Sequence, residues 1–179
     1  MKRILVTGPV GAGKSRLAGE LGRLLGIRVL HLDTLFWKPG WVATPPEEFE
    51  AVQRRELATD EWIVDAQFDD MLPDWLESAD TVVFVDASVA RCLWRVSRRR
   101  LSPQNRVGTP TGAEPAPAHR ALLKFLRNQW RYRRKVRGQL LAELAQEVDG
   151  RHIVVLRRGG DAGAFLRSVD SAAASRGTF

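Results

Sequence analysis

Apolar positions along this 179-residue chain follow two rhythms. Short continuous runs occur in "KRILVTG" (2–8), "IRVLHL" (27–32), "EWIVDA" (61–66), "DTVVFVD" (80–86) and "RHIVVL" (151–156). These read as β-strands, because a strand covered on both faces has no polar side. Between them apolar residues recur at helical spacing. Leu17, Leu21, Leu24 and Leu25 mark a helix over 14–26 that stops at Gly26. "TPPEEFEAVQRREL" starts a second, with Thr44 as cap, Pro45 in the first turn and Glu47 completing a capping box. Ser88 can cap a third, whose apolar stripe is Val89, Cys92, Leu93 and Val96. A long helix is expected from about 119 to 148, and a last one from about 161, before a flexible tail at 170–179. Alternating strands and helices predict one α/β domain over 1–179, with a parallel sheet and helices on both faces. The 102–118 stretch, with four prolines and two glycines, reads as a loop or flap.

Composition narrows the class. Apolar content of 44% and charged content of 27% fit a water-soluble globular domain. No apolar run approaches the ~18 residues that span a bilayer, so no membrane partner is expected. The glycine motif begins at Gly8, which leaves no room for a signal-peptide apolar region, and a cytoplasmic protein is expected. The single cysteine, Cys92, excludes an intramolecular disulfide and a Cys-rich zinc site, and its place on an apolar stripe suits a packed thiol. The three histidines show no zinc-ligand spacing.

The strongest chemical signal is "GPVGAGKS", residues 8–15, which fits G-x-x-x-x-G-K-[ST] between a strand and a helix. Glycines at 8, 11 and 13 permit a tight turn whose backbone N–H groups converge on a phosphate, while the helix aims its positive end at the same anion. Lys14 is placed to reach the β- and γ-phosphates and Ser15 to offer its hydroxyl to Mg²⁺. Gly8, Pro9, Val10, Gly11, Ala12, Gly13, Lys14, Ser15 and Arg16 are therefore the expected nucleotide-binding residues, with ATP and Mg²⁺ as cofactors. Ligands of such a sheet gather at the carboxyl ends of the strands. Asp33, Asp65 and Asp86 stand there. Asp65 suits a Mg²⁺-side acid, whereas Asp86 is explained by the helix that follows it.

Together with the P-loop, "HLDTLFWKPGW", "DEWIVDAQF" and "RCLWRVSRRRL" make the chain resemble the small bacterial P-loop proteins called DNA topology modulation proteins. These are relatives of adenylate kinase, often described as ATP-binding kinases. The resemblance covers roughly residues 1–100 in order. It implies a three-layer fold with a five-stranded parallel sheet in the order 2-3-1-4-5, an acceptor-binding excursion at 33–60 and a lid at 101–118. The family carries Asp-Gly-Asn-Tyr after strand three; here the acid is kept in Asp65-Ala66-Gln67-Phe68.

The excursion bears on the acceptor. A monophosphate already presents an anionic oxygen and needs arginines, whereas a hydroxyl needs a carboxylate to take its proton. Adenylate kinases typically place an arginine shortly after the acid of this segment; Trp37 stands about there in this chain. Asp33-Thr34-Leu35-Phe36-Trp37-Lys38 is instead similar to hydroxyl-phosphorylating kinases, in which the acid acts as base and aromatics wall the pocket. Asp33 is thus expected to activate or orient the acceptor, the alternative being a turn or outer Mg²⁺ residue. Phe36, Trp37 and Trp41 are candidate pocket walls or core. Arg54, with Arg55, leaves room for a monophosphate.

Charge is uneven. Arg91–Arg137 holds 14 Lys/Arg against one acid, Glu114, a net +13, and the rest of the chain nets −6. Arg120, Lys124, Arg127, Arg131 and Arg134 fall along one helix face, while Phe125, Tyr132, Val136, Leu140 and Leu144 supply a packing side. Arg95, Arg99 and Arg131 are the candidates to close over the triphosphate. The excess of cations keeps nucleic acid as an alternative partner to a small acceptor.

Overall fold

The structure is a computed structural model that describes residues 1–38, 42–67, 73–101, 118–145 and 150–176, without the side chains of 73, 99–101, 118–121, 139 and 143. Five parallel strands form the central sheet: β1 (Arg3–Thr7), β2 (Val29–His31), β5 (Trp62–Ala66), β6 (Thr81–Val85) and β7 (His152–Leu156). Their order is β2-β5-β1-β6-β7. Counted along the chain this is second, third, first, fourth, fifth, as the resemblance implied.

Side chains alternate across a strand, and this alternation builds two cores. Ile4 and Val6 of β1, Ile63 of β5, and Val83 and Val85 of β6 face one side. They meet Leu17, Ala18 and Leu21 of α1 (Lys14–Leu25), Cys92 of α5 (Val89–Leu101), Phe125 of α6 (Ala118–Arg131) and Val169 of α8 (Asp161–Arg176). Leu5, Trp62, Val64, Val82 and Phe84 face the other. There they meet Leu32 of α2 (Leu32–Phe36), Phe49 of α3 (Pro46–Leu57), Trp75 of α4 (Pro73–Ser78), and Leu140 and Leu144 of α7 (Arg137–Leu144). Each fully buried aliphatic stabilises the fold by about 1.5–3 kcal/mol.

Several local expectations are corrected. Strand β2 stops at His31, and Asp33 lies in the short helix α2 rather than at a strand end. A two-residue hairpin, β3 (Trp37–Lys38) with β4 (Val42–Ala43), extends the excursion. Thr44 does not cap α3: its hydroxyl donates to the Leu35 carbonyl at 2.8 Å and its N–H to Phe36 at 2.8 Å, so the helix starts at Pro46 behind Pro45. Two tertiary hydrogen bonds outweigh one local cap. The long helix is not uniform. A π-helical stretch, Tyr132–Val136, separates α6 from α7, and wider turns shift the inward face from the Phe125 core to the Leu140 core. Helix α8 continues through Arg176, where a flexible tail was expected, because Ala172, Ala173 and Ala174 are strong helix formers. Ser88 does accept the Arg91 N–H at 3.4 Å, and Cys92 is a buried free thiol whose pKa burial raises. Trp41, Phe68, Arg106 and all of the expected 102–118 flap except Ala118, which begins α6, lie outside the described residues.

Asp80 ties the sheet together at its amino end. Its Oδ2 accepts the N–H groups of Lys2 (2.7 Å) and Arg3 (3.0 Å), and its Oδ1 the Thr81 hydroxyl (2.7 Å). Partial burial would raise its pKa, but the N–H groups of Arg3 and Lys2 and the Thr81 hydroxyl outweigh it and hold the carboxyl below its ordinary value. A depressed folded-state pKa stabilises above the unfolded value and is lost as pH falls through the folded one. Asp80→Asn should therefore cost about 1 kcal/mol at pH 7, discounted for solvent screening, and the gap should close as pH falls below the ordinary carboxylate range. Urea melts of both proteins across that range check it.

Candidate active site

The Gly8–Ser15 turn leaves β1, at the middle of the sheet, and enters α1. Gly13 has φ 95°, a left-handed conformation that a side chain resists. A Cβ on Gly8 would stand 2.5 Å from the Val85 carbonyl oxygen, so the turn also lies against the end of β6. No side chain caps α1 and no acid sits in its first turn. Its open N–H groups and positive dipole end are thus left for an anion.

Donors from three helices hold the carbonyls of this turn. Lys14, almost fully buried, places Nζ 3.4 Å from the Pro9 carbonyl. The Arg95 guanidinium of α5 donates to the Ala12 carbonyl. Gln129 of α6 donates from Nε2 to the Val10 carbonyl at 2.8 Å and is 3% exposed. Sequence reasoning missed Gln129. Its signal was a polar residue on the packing stripe between Phe125 and Tyr132.

Asp65 stands beside the turn. It shares a sheet face with Ile63, the face that α1 covers, and its side chain is 8% exposed. His31 is its register partner across β2 and β5, and His31 Nδ1 lies 2.9 Å from Asp65 Oδ2. Burial would raise the Asp65 pKa, but the His31 hydrogen bond, the Lys14 charge and the Ser15 hydroxyl together hold it below the ordinary value. The bond to Asp65 raises the His31 pKa against its partial burial, and the nearby Asp33 charge adds to the rise. His31 was also missed, because its partner is 34 residues away in sequence.

The residues predicted from sequence divide into groups. Lys14, Ser15, Asp65 and Arg95 come together around the P-loop. Asp33 is exposed in the first turn of α2 and near enough to His31 to perturb it. Phe36 packs edge-on against Trp37 (ring centroids 4.8 Å) and Phe49 (5.4 Å), so it serves the second core as well as the excursion. The Arg16 side chain turns outward to Glu20 at 2.8 Å, leaving only its backbone at the loop. Arg54 pairs with Glu50 at 3.1 Å, near the end of α3 that leads into the start of β5, and is not brought to the P-loop. Asp86 is gripped by Arg137 through Nε (3.0 Å) and Nη2 (2.7 Å), a structural ion pair on the far core side. Lys124, Arg127, Arg131 and Arg134 are all exposed, with Arg134 stacked 5.0 Å over Trp130. The Arg99 side chain lies outside the described residues.

The donor set fits Mg²⁺. Among the described residues no three His, Cys, Asp or Glu side chains converge on a protein-only metal site. One hydroxyl (Ser15) beside one low-pKa carboxylate (Asp65) suits a cation that takes its other ligands from phosphates and water.

No protein-family model and no curated protein matches the chain. Solved structures do share its fold. Shikimate kinase from Acinetobacter baumannii in complex with shikimate aligns with TM-score 0.57 and 19% identity, covering 100% of this chain and 96% of that one. Shikimate kinase from Bacteroides thetaiotaomicron gives 0.52 and 14%, over 96% and 97%. TT1252 from Thermus thermophilus gives 0.51 and 18%, over 94% and 96%. At these identities the likeness establishes the fold alone, a five-stranded parallel sheet flanked by helices. Among the described residues no helix is long and apolar enough to cross a membrane.

Lys14→Ala should weaken ATP binding about 10- to 100-fold, the loss of a charge-assisted contact. Gln129→Leu leaves the Val10 carbonyl without its donor and should cost about 1–3 kcal/mol in stability, with a smaller loss of ATP affinity. Fluorescent-nucleotide titration and thermal melts separate the two effects.

Proposed function

We propose that the protein is a Mg²⁺–ATP-dependent kinase that phosphorylates a hydroxyl of a small acceptor. One observation carries this reading. A low-pKa buried carboxylate, Asp65, sits at the P-loop, and a second, solvent-facing carboxylate, Asp33, stands on the adjoining element within electrostatic reach of the same His31. Two carboxylates in such different environments suit two roles. Two neighbours of like fold are named shikimate kinases, which supports a small-molecule acceptor.

In this reading the loop N–H groups and Lys14 bind the triphosphate, and Ser15 and Asp65 hold the metal. Bound Mg²⁺ would offset phosphate charge. Asp33 accepts the hydroxyl proton as the acceptor oxygen bonds to the γ-phosphorus. The bond from that phosphorus to the β,γ-bridging oxygen breaks, and ADP leaves with the electron pair. Trp37 and Phe36 form one wall beside Asp33. Arg95, which donates to the Ala12 carbonyl at the loop, would together with Arg99 and Arg131 supply positive charge to the transferring phosphoryl group.

The exposed cationic ridge of α6, with Trp130 beside it, favours one other reading, an ATP-dependent nucleic-acid module related to DNA topology. ADP release from Mg²⁺–ATP decides between them. Stimulation by a hydroxyl compound is expected, with Asp33→Asn lowering kcat by about 10²–10⁴-fold while ATP affinity stays unchanged. Turnover with duplex DNA alone would support the second reading instead.

A further inference from the structure

We infer that His31 is a positioning residue for Asp65, fixing which carboxylate oxygen is presented to the metal; this rests on the Mg²⁺–nucleotide reading of the site. A carboxylate at neutral pH only accepts hydrogen bonds, so His31 Nδ1 must carry the hydrogen in its 2.9 Å contact with Asp65 Oδ2. That contact engages Oδ2 and holds the carboxylate plane, so Oδ1 would be the oxygen offered to a metal shared with Ser15.

The sheet supports this assignment independently of charge. His31 and Asp65 are parallel register partners on neighbouring strands, the last residue of β2 beside the penultimate residue of β5. Val29, two residues before His31, and Ile63, two before Asp65, both belong to the α1-side core, so parity directs the two polar side chains to the P-loop face. The Asp65 side chain is 8% exposed, and few water molecules can replace the imidazole as donor. Without it, the buried carboxylate would lose the partner that fixes its plane, and either oxygen could turn toward the metal. Residues that hold a metal ligand by a hydrogen bond typically contribute about 10–100-fold to metal affinity.

Binding, not turnover, tests this. ADP affinity is measured by calorimetry with and without Mn²⁺ for the intact protein and for His31→Leu, His31→Asn and Asp65→Asn. The gain in ADP affinity conferred by Mn²⁺ should fall about tenfold or more in His31→Leu and in Asp65→Asn. His31→Asn should keep most of it, since the asparagine Nδ2 stands near the position of histidine Nδ1. Metal-free ADP affinity should be unchanged in the His31 variants, which a merely structural defect would not allow. If Asp65→Asn loses the gain but His31→Leu keeps it, the His31 assignment fails and the metal site stands. If Asp65→Asn also keeps it, or the intact protein gains nothing from Mn²⁺, the metal reading fails and takes the assignment with it. Should His31→Leu fail to fold, His31→Gln serves in its place: equal gains in the Asn and Gln variants would overturn the argument from position, and retention in Asn alone would support it.

Discussion

The structure depends on the double burial of β1. Ile4, Leu5 and Val6 are all fully buried, so this strand must lie in the middle of the sheet with helices on both faces. Its neighbours β5 and β6 follow from that demand, and so does the position of the chain leaving it. The P-loop therefore emerges at the centre of the sheet's carboxyl edge and turns at once into α1, which covers the Ile4–Val6 face. Parity does the rest. On this face, the polar residues at the carboxyl ends of β2 and β5 point to the loop, and His31 and Asp65 occupy those two places.

The opposite face handles charge differently. Asp86, at the end of β6, is paired by Arg137 from α7 with bidentate geometry, and Arg157 lies 3.8 Å away. A carboxylate held between guanidinium groups serves as a strut linking β6 to the long helical segment. The π-helical stretch before Arg137 makes this compatible with Gln129 reaching the P-loop, because one helical path must serve both cores. The helical segment from α6 to α7 is thus clamped at two points, by Gln129 on the Gly8–Ser15 turn and by Arg137 on Asp86 beside the sheet.

Much was legible because it depends on local rules. The five strand segments, the helices at 14–25 and from Val89, the parallel sheet and the glycine-rich turn between β1 and α1 follow from apolar runs, helical spacing and one glycine pattern. The failures arose where a tertiary partner outbid a local preference. Thr44 has the chemistry of a cap but bonds to the backbone of α2. Arg54 has the chemistry of an anion ligand, and in the structure it pairs with Glu50 one turn back on its own helix.

The sequence by itself determined the Gly8–Ser15 turn between β1 and α1, since its glycines, Lys14 and Ser15 come from eight consecutive residues whose geometry is a property of the turn. It also determined that Asp65 stands near the carboxyl end of a buried strand. Only the tertiary structure decided that Asp65 meets His31, that Gln129 and Arg95 secure the loop, and that Asp86 belongs to Arg137. Those partners are separated by 34 to 119 residues, and a hydrogen bond carries no trace in sequence of which distant strand or helix the packing will bring within 3 Å.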